Sequence, residues 1–219
     1  MLQPHADELE THRLRLADVL GLSPDGIRPV LDDLAARYGC PDRHYHTLKH
    51  VRAVLDVIQA LAGPLPSPAL LIAAWFHDAV YDPHAADNEE RSAALARTLL
   101  GPLGIEEALL AEASRLILLT KTHNCSNDDR NGQVLLDADL AILGADGKEY
   151  DTYARAIRRE YAWVPDEEYR KGRLQVLETF LNRERIYQTD ELHRAAERQA
   201  RRNLQREIDA LSGEAALPA

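Results

Sequence analysis

Apolar residues recur along this chain at helical spacing, and at one place they are continuous. From Leu70 to Phe76 every position is apolar: Leu70, Leu71, Ile72, Ala73, Ala74, Trp75 and Phe76. A helix that is apolar all round is a buried one, and Ser67-Pro68 just before it supplies an N-cap and first-turn pair. Elsewhere the pattern is amphipathic. Leu48, Val51, Leu55 and Ile58 form one stripe and predict a helix from about Tyr45 to Leu61, stopped by Gly63-Pro64. Upstream, residues 5–20 suit a helix through Leu9, Leu14 and Leu16 that ends at Gly21. A second begins at Ser23-Pro24-Asp25, carries Val30, Leu31, Leu34 and Tyr38, and closes at Gly39.

Downstream, Asp87 or Asn88 caps a helix to about Leu100, and 105–121 and 134–144 follow as further apolar-periodic segments. Tyr150, Tyr153, Ile157 and Tyr161 mark one stripe; Leu174, Leu177 and Leu181 mark the next, opened by Pro165. Thr189 caps a last helix with Leu192, Leu204, Ile208 and Leu211 inward. No stretch alternates apolar and polar residues over a useful length, so none reads as strand. The pattern predicts a single all-α domain over 1–219, with a disordered tail at about 212–219. It would hold roughly eight to ten helices.

Charge narrows the function. With 36 Asp and Glu against 26 Lys and Arg, the net charge is -10. General nucleic-acid binding needs a basic footprint and is excluded on this ground. A small phosphorylated substrate is not, because a bound ion or an Arg cluster overrides the global field locally. No apolar run reaches the roughly 18 residues of a membrane span, and the N-terminal MLQPHADELETHRLRL lacks the apolar stretch of a signal peptide. Cys40 and Cys125 form neither a disulfide framework nor a CxxC site. The expected setting is reducing and cytoplasmic.

The chemistry gathers where polar residues interrupt apolar runs. His77 and Asp78 end the continuous apolar helix. Burying them costs free energy unless something pairs them. A divalent metal satisfies both, and so does a His–Asp pair that ties helices together. The run Arg43-His44-Tyr45-His46-Thr47-Leu48-Lys49-His50 places His46 and His50 four apart, on one face if the helix includes both. That spacing serves one metal, or sets a ligand beside a proton donor. Asp137 and Asp139 lie in VLLDADLAILG. Two residues apart on a helix is about 200°, so they cannot both point at one ion. Lys121 and His123 stand beside the polar loop NCSNDDRNG and can reach a phosphate. Arg43, Arg158 and Arg173 carry planar forks that clamp phosphates, although ion pairing on a solvated face uses the same residues. Glu89 is placed in a first helical turn, where an acid carries protons or simply complements the helix dipole.

Taken in order, RHYHTLKH, FHDAVYD, DNEERSA and LLDADLAILG resemble the HD-domain superfamily of metal-dependent phosphohydrolases, in particular a bacterial branch known only as predicted HD phosphohydrolases. The resemblance runs from about residue 27 to 207. It implies an HD-domain-like helical bundle with additional C-terminal helices. It also implies one or two divalent ions (Mn, Mg, Zn, Ni, Co or Fe) held by His50, His77, Asp78 and a later Asp. The family's last Asp commonly sits in an Ala-Asp-Leu context, which Ala138-Asp139-Leu140 matches, so Asp139 is the expected fourth ligand. Tyr45-His46 with His50 also resembles cyclic-nucleotide phosphodiesterases, whose first His donates a proton; Thr47 stands where those enzymes carry Asn. His46 is thereby the expected general acid, with Glu89 a second proton carrier and Arg43, Lys121 and His123 the substrate contacts. The expected substrate is a nucleotide or other small phosphoester, with no membrane partner, and a homodimer is left open. Two other readings compete. In an HD-like di-iron oxygenase, His46, His84 and His123 would add ligands. A non-catalytic metal- or nucleotide-binding module would show a lost ligand, and none is lost.

Overall fold

The computed structural model describes residues 4–213 and, within them, side chains from residue 9 onward. Among these residues there are ten α-helices and no strand, as the absence of period-two alternation predicts. The fold is all-α. The helices are α1 Pro4–Val19, α2 Pro24–Tyr38, α3 Leu48–Ala62, α4 Pro68–Phe76, α5 Asn88–Leu100, α6 Glu107–Leu119, α7 Arg130–Leu140, α8 Gly147–Glu160, α9 Asp166–Leu181 and α10 Asp190–Ser212. Short 3₁₀ turns follow α5 at Gly101–Leu103 and α7 at Ala141–Gly144. The chain divides into two compact units, one up to Ala138 and one from Asp139. The division falls inside α7. Of the expected tail, Ser212 still belongs to α10 and Gly213 is its cap; residues 214–219 lie outside the described residues.

The first unit is built on α4. Every residue from Ala69 to Phe76 is buried, on all sides of the helix. Around it pack the stripes read from sequence: Val30, Leu31 and Leu34 of α2, Val51, Leu55 and Ile58 of α3, Leu116 and Ile117 of α6, and Val134, Leu135 and Ala138 of α7. Burying a Leu, Ile or Val side chain contributes about 1.5–3 kcal/mol each, and these stripes therefore fix which face each helix turns inward. Tyr38 closes the core beside α4, donating its hydroxyl to the Trp75 carbonyl at 3.0 Å. That carbonyl is one of the last four of α4, which no amide of the same helix can satisfy.

The second unit has its own core of Leu143, Tyr150, Leu177, Ile186, Tyr187, Ala200 and Leu204. Leu192, Ile208 and Leu211 line its edge, while Leu174 is only half-buried. Gly144 sits where a side chain has no room. A Cβ there would lie 2.7 Å from the Ala196 Cβ and 2.8 Å from the Tyr187 hydroxyl. Around it, Asn203 donates to the carbonyls of Leu143 and Ala145 at 2.9 and 2.8 Å.

Three boundaries differ from the periodicity, two of them for a local reason. Helix α3 starts at Leu48, not Tyr45. Thr47 is extended at φ -119°, ψ 177°, and its amide donates to the Tyr45 carbonyl at 2.8 Å, so residues 45–47 form a tight turn. Helix α6 spans Glu107–Leu119 where 105–121 was expected. Helix α7 begins four residues early, at Arg130, because Asp129 of the polar loop accepts from the Gly132 amide at 2.9 Å and caps it.

Candidate metal centre

Four residues offer one ligand atom each within 4.8 Å of one another: His50, His77, Asp78 and Asp139. They are the set implied by the resemblance, and they come from α3, the end of α4 and α7. His50 is in the first turn of α3, and its buried ring faces inward with Val51 and Val54. His77 is the residue at which α4 stops, and Asp78 follows it in the turn. Asp139 is on α7, one residue after the core residue Ala138. Asp137, two positions earlier, is fully buried and is not in the group. This is the half-turn separation expected of residues two apart on a helix.

The donor geometry is specific. His77 donates from Nδ1 to the Ala74 carbonyl at 2.9 Å. A carbonyl only accepts, so Nδ1 carries the proton and a neutral ring presents a lone pair at Nε2. That Nε2 lies 3.1 Å from His50 Nε2 and 3.1 Å from Asp78 Oδ2, and His50 Nε2 lies 3.5 Å from the same oxygen. Ligands about 2.1 Å from a common ion are separated by about 3.0 Å at right angles and about 3.4 Å at the tetrahedral angle. The triangle has those dimensions. Both rings are buried and both carboxylates, Asp78 and Asp139, are half-buried, so two partly exposed acids lie beside two solvent-shielded imidazoles. The residues present fit a divalent ion: neutral imidazole and carboxylate together, with the carbonyl behind His77 fixing its tautomer.

The segments that carry these ligands are held by side chains whose part was not legible beforehand. Arg43 is buried. Its Nη1 donates to the carbonyls of His46 at 3.1 Å and Asp78 at 2.6 Å, and its Nη2 donates to that of Ala79 at 3.0 Å. The guanidinium lies 5.0 Å from the Tyr38 ring centre and 5.5 Å from that of Tyr81. Ser92 of α5, fully buried, accepts from the Val80 amide at 3.0 Å. Asn88 accepts from the Asp82 amide at 3.0 Å and donates to its carbonyl at 2.8 Å. Asn88 and Ser92 are four apart in DNEERSA, which was the available signal for them.

The remaining expected residues do not join this group. His46 precedes α3, so the shared helix face does not exist. Its ring nevertheless comes 5.9 Å from the His50 ring, centre to centre, and stacks on Tyr81 at 4.2 Å. Glu89 is half-buried in the first turn of α5. The Lys121 ammonium donates to the Ala86 carbonyl at 2.8 Å and pairs with Glu90, which raises the lysine pKa and lowers that of the carboxyl. His123 follows α6 in the left-handed region at φ 48°. His46, His84 and His123 are not in the four-residue group. Arg158 caps the end of α8 through the Tyr161 and Val164 carbonyls, and Arg173 pairs with Glu207 inside the second unit. Among the described residues no helix is long and apolar enough to cross a membrane.

Compared with known proteins, the chain matches no family model, no curated protein and no solved structure.

Proposed function

We propose that this chain is a metal-dependent phosphohydrolase of the HD type, acting on a nucleotide or another small phosphoester. The observation that carries the reading is the convergence of His50, His77, Asp78 and Asp139, in that chain order, on one point. These residues would hold the ion. When bound, it lowers the pKa of a water and shields phosphate charge. The chain's own residues supply the rest. The Ala74 carbonyl keeps the His77 lone pair aimed inward. Burial of His50 and His77 excludes bulk water from one side. His46, braced on Tyr81, would hold a proton for the leaving oxygen. Glu89 and Glu90 complement the dipole of α5 from its first turn.

Elemental analysis of the purified protein tests the reading, followed by turnover of a nitrophenyl phosphate and a nucleotide panel. His77→Ala, Asp78→Ala and Asp139→Ala should each lose the ion, and Asp137→Ala should keep it. Full metal occupancy in both His77→Ala and Asp78→Ala would overturn the proposal. Oxygen uptake by an iron-loaded protein, without phosphoester turnover, would replace it with the di-iron reading.

A further inference from the structure

Arg43 belongs to a conventional phosphate-binding residue type, but its environment gives it another task. Its guanidinium is buried and donates to the main-chain carbonyls of His46, Asp78 and Ala79. The first of these is in the segment that precedes α3, and the other two are in the turn that follows α4. Tyr38 and Tyr81 both lie within cation–π range of the guanidinium, and Tyr81 also carries the His46 ring.

We infer that Arg43 is the positioning residue of the centre, a fork that ties the His46 segment to the His77–Asp78 turn and so sets the carboxylate of Asp78 against the imidazoles of His50 and His77. This rests on the reading of the four-residue group as a metal centre. The physical argument has two parts. First, Asp78 lies beyond the last helical residue of α4, so helix hydrogen bonding does not define its backbone. The Arg43 bond to its carbonyl at 2.6 Å holds it, together with the turn bond from the Ala79 amide to the Phe76 carbonyl at 2.9 Å. Second, a planar guanidinium has five N–H donors in a fixed fork, whereas an ammonium is a single point with rotating donors. Only the fork can span carbonyls on two separate segments while lying against aromatic rings.

The sign of the effect on metal affinity separates positioning from charge. A cation beside a divalent-ion site repels the ion, so removing it should tighten binding if charge were its only contribution. If Arg43 positions Asp78, its removal should weaken binding, by the roughly 10–100-fold typical of groups that orient metal ligands. The test uses the full chain and two probes: calorimetric titration with Mn²⁺, and the visible absorption spectrum of the Co²⁺-loaded protein, which reports ligand geometry independently of activity. Arg43→Met and Arg43→Lys should both bind Mn²⁺ at least about tenfold more weakly, with a changed Co²⁺ spectrum, despite the retained charge in Arg43→Lys. Tyr81→Leu, which removes one of the two rings that the guanidinium lies against, guards against misfolding of the Arg43 variants and should shift the Co²⁺ spectrum in the same direction by less. Leu204→Ala, in the core of the second unit, lowers stability without touching the fork and should leave both readouts unchanged.

Equal or tighter Mn²⁺ binding by Arg43→Met, with an unaltered Co²⁺ spectrum, would overturn the inference and leave the metal centre standing. An unaltered Co²⁺ spectrum in Tyr81→Leu, if both Arg43 variants fail to fold, would overturn it as well. A wild-type protein that binds neither ion would overturn the centre itself.

Discussion

Replacing His77 with Ala gives the sharpest test of the centre, because the metal contribution can be isolated from the packing contribution. His77 is 1% exposed, donates to the Ala74 carbonyl at 2.9 Å, and forms two edges of the donor triangle at 3.1 Å each. Without metal, the variant loses a buried hydrogen bond, about 1 kcal/mol, and leaves a cavity the size of an imidazole. Large-to-small changes in a core cost about 2–5 kcal/mol.

With metal, a second quantity enters. An ion that binds only the folded state stabilises it by about 2.7 kcal/mol at a hundredfold excess over Kd. For a chain of this length, each kcal/mol moves Tm by about 2–4 °C. Wild type should therefore melt about 5–11 °C higher with saturating Mn²⁺ than with a chelator, and His77→Ala should show little or none of that shift. The assay is differential scanning calorimetry of both proteins, each with Mn²⁺ and with chelator. The difference of the two shifts is the coupling between His77 and the ion, free of the cavity. An equal Mn²⁺-induced shift in both proteins would refute the argument that His77 holds the ion, whatever the variant's stability in chelator.

Two further predictions concern a proton and a buried acid. His46→Ala should keep its metal and its melting temperature while losing about 10²–10⁴-fold in turnover of a phosphoester; steady-state rates on esters with poor and good leaving groups check it, since the loss should shrink when departure needs no proton. In the second unit, Glu197 accepts from the amides of Ile186 at 3.1 Å and Tyr187 at 3.2 Å and from Arg201 at 2.7 Å. Burial pushes its pKa up, but those amides and Arg201 outweigh it and hold it below the ordinary 4.5. A depressed folded-state pKa stabilises the fold above the unfolded value, and this is lost as pH falls through the folded value. Glu197→Gln should thus cost about 1–3 kcal/mol at neutral pH, with the gap closing below pH 4.5; urea melts across that range check it.

The sequence by itself determined that the chain is helical and which faces are inside. The apolar run at α4 and the stripes of α2, α3, α8 and α10 needed only periodicity, because burial of apolar area is non-directional and follows residue spacing. The four residues of the centre were nominated by the resemblance to the HD-domain pattern and not by periodicity, which left Asp137 and Asp139 equal. Tertiary structure decided the rest. That Asp139 and not Asp137 joins His50, His77 and Asp78 depends on how α7 is rotated against the core, which its neighbours set.

The nearness of His46 to His50 did not come from helical spacing. It came from a turn at 45–47 and from stacking on Tyr81, a residue 35 positions away. The task of Arg43 was beyond reach for the same reason. Hydrogen bonds are directional and short-ranged, and a side chain that satisfies carbonyls 35 and 36 residues downstream leaves no pattern in its own neighbourhood. Periodicity records what a residue avoids, which is water; it does not record which distant polar group it will meet once the helices have packed.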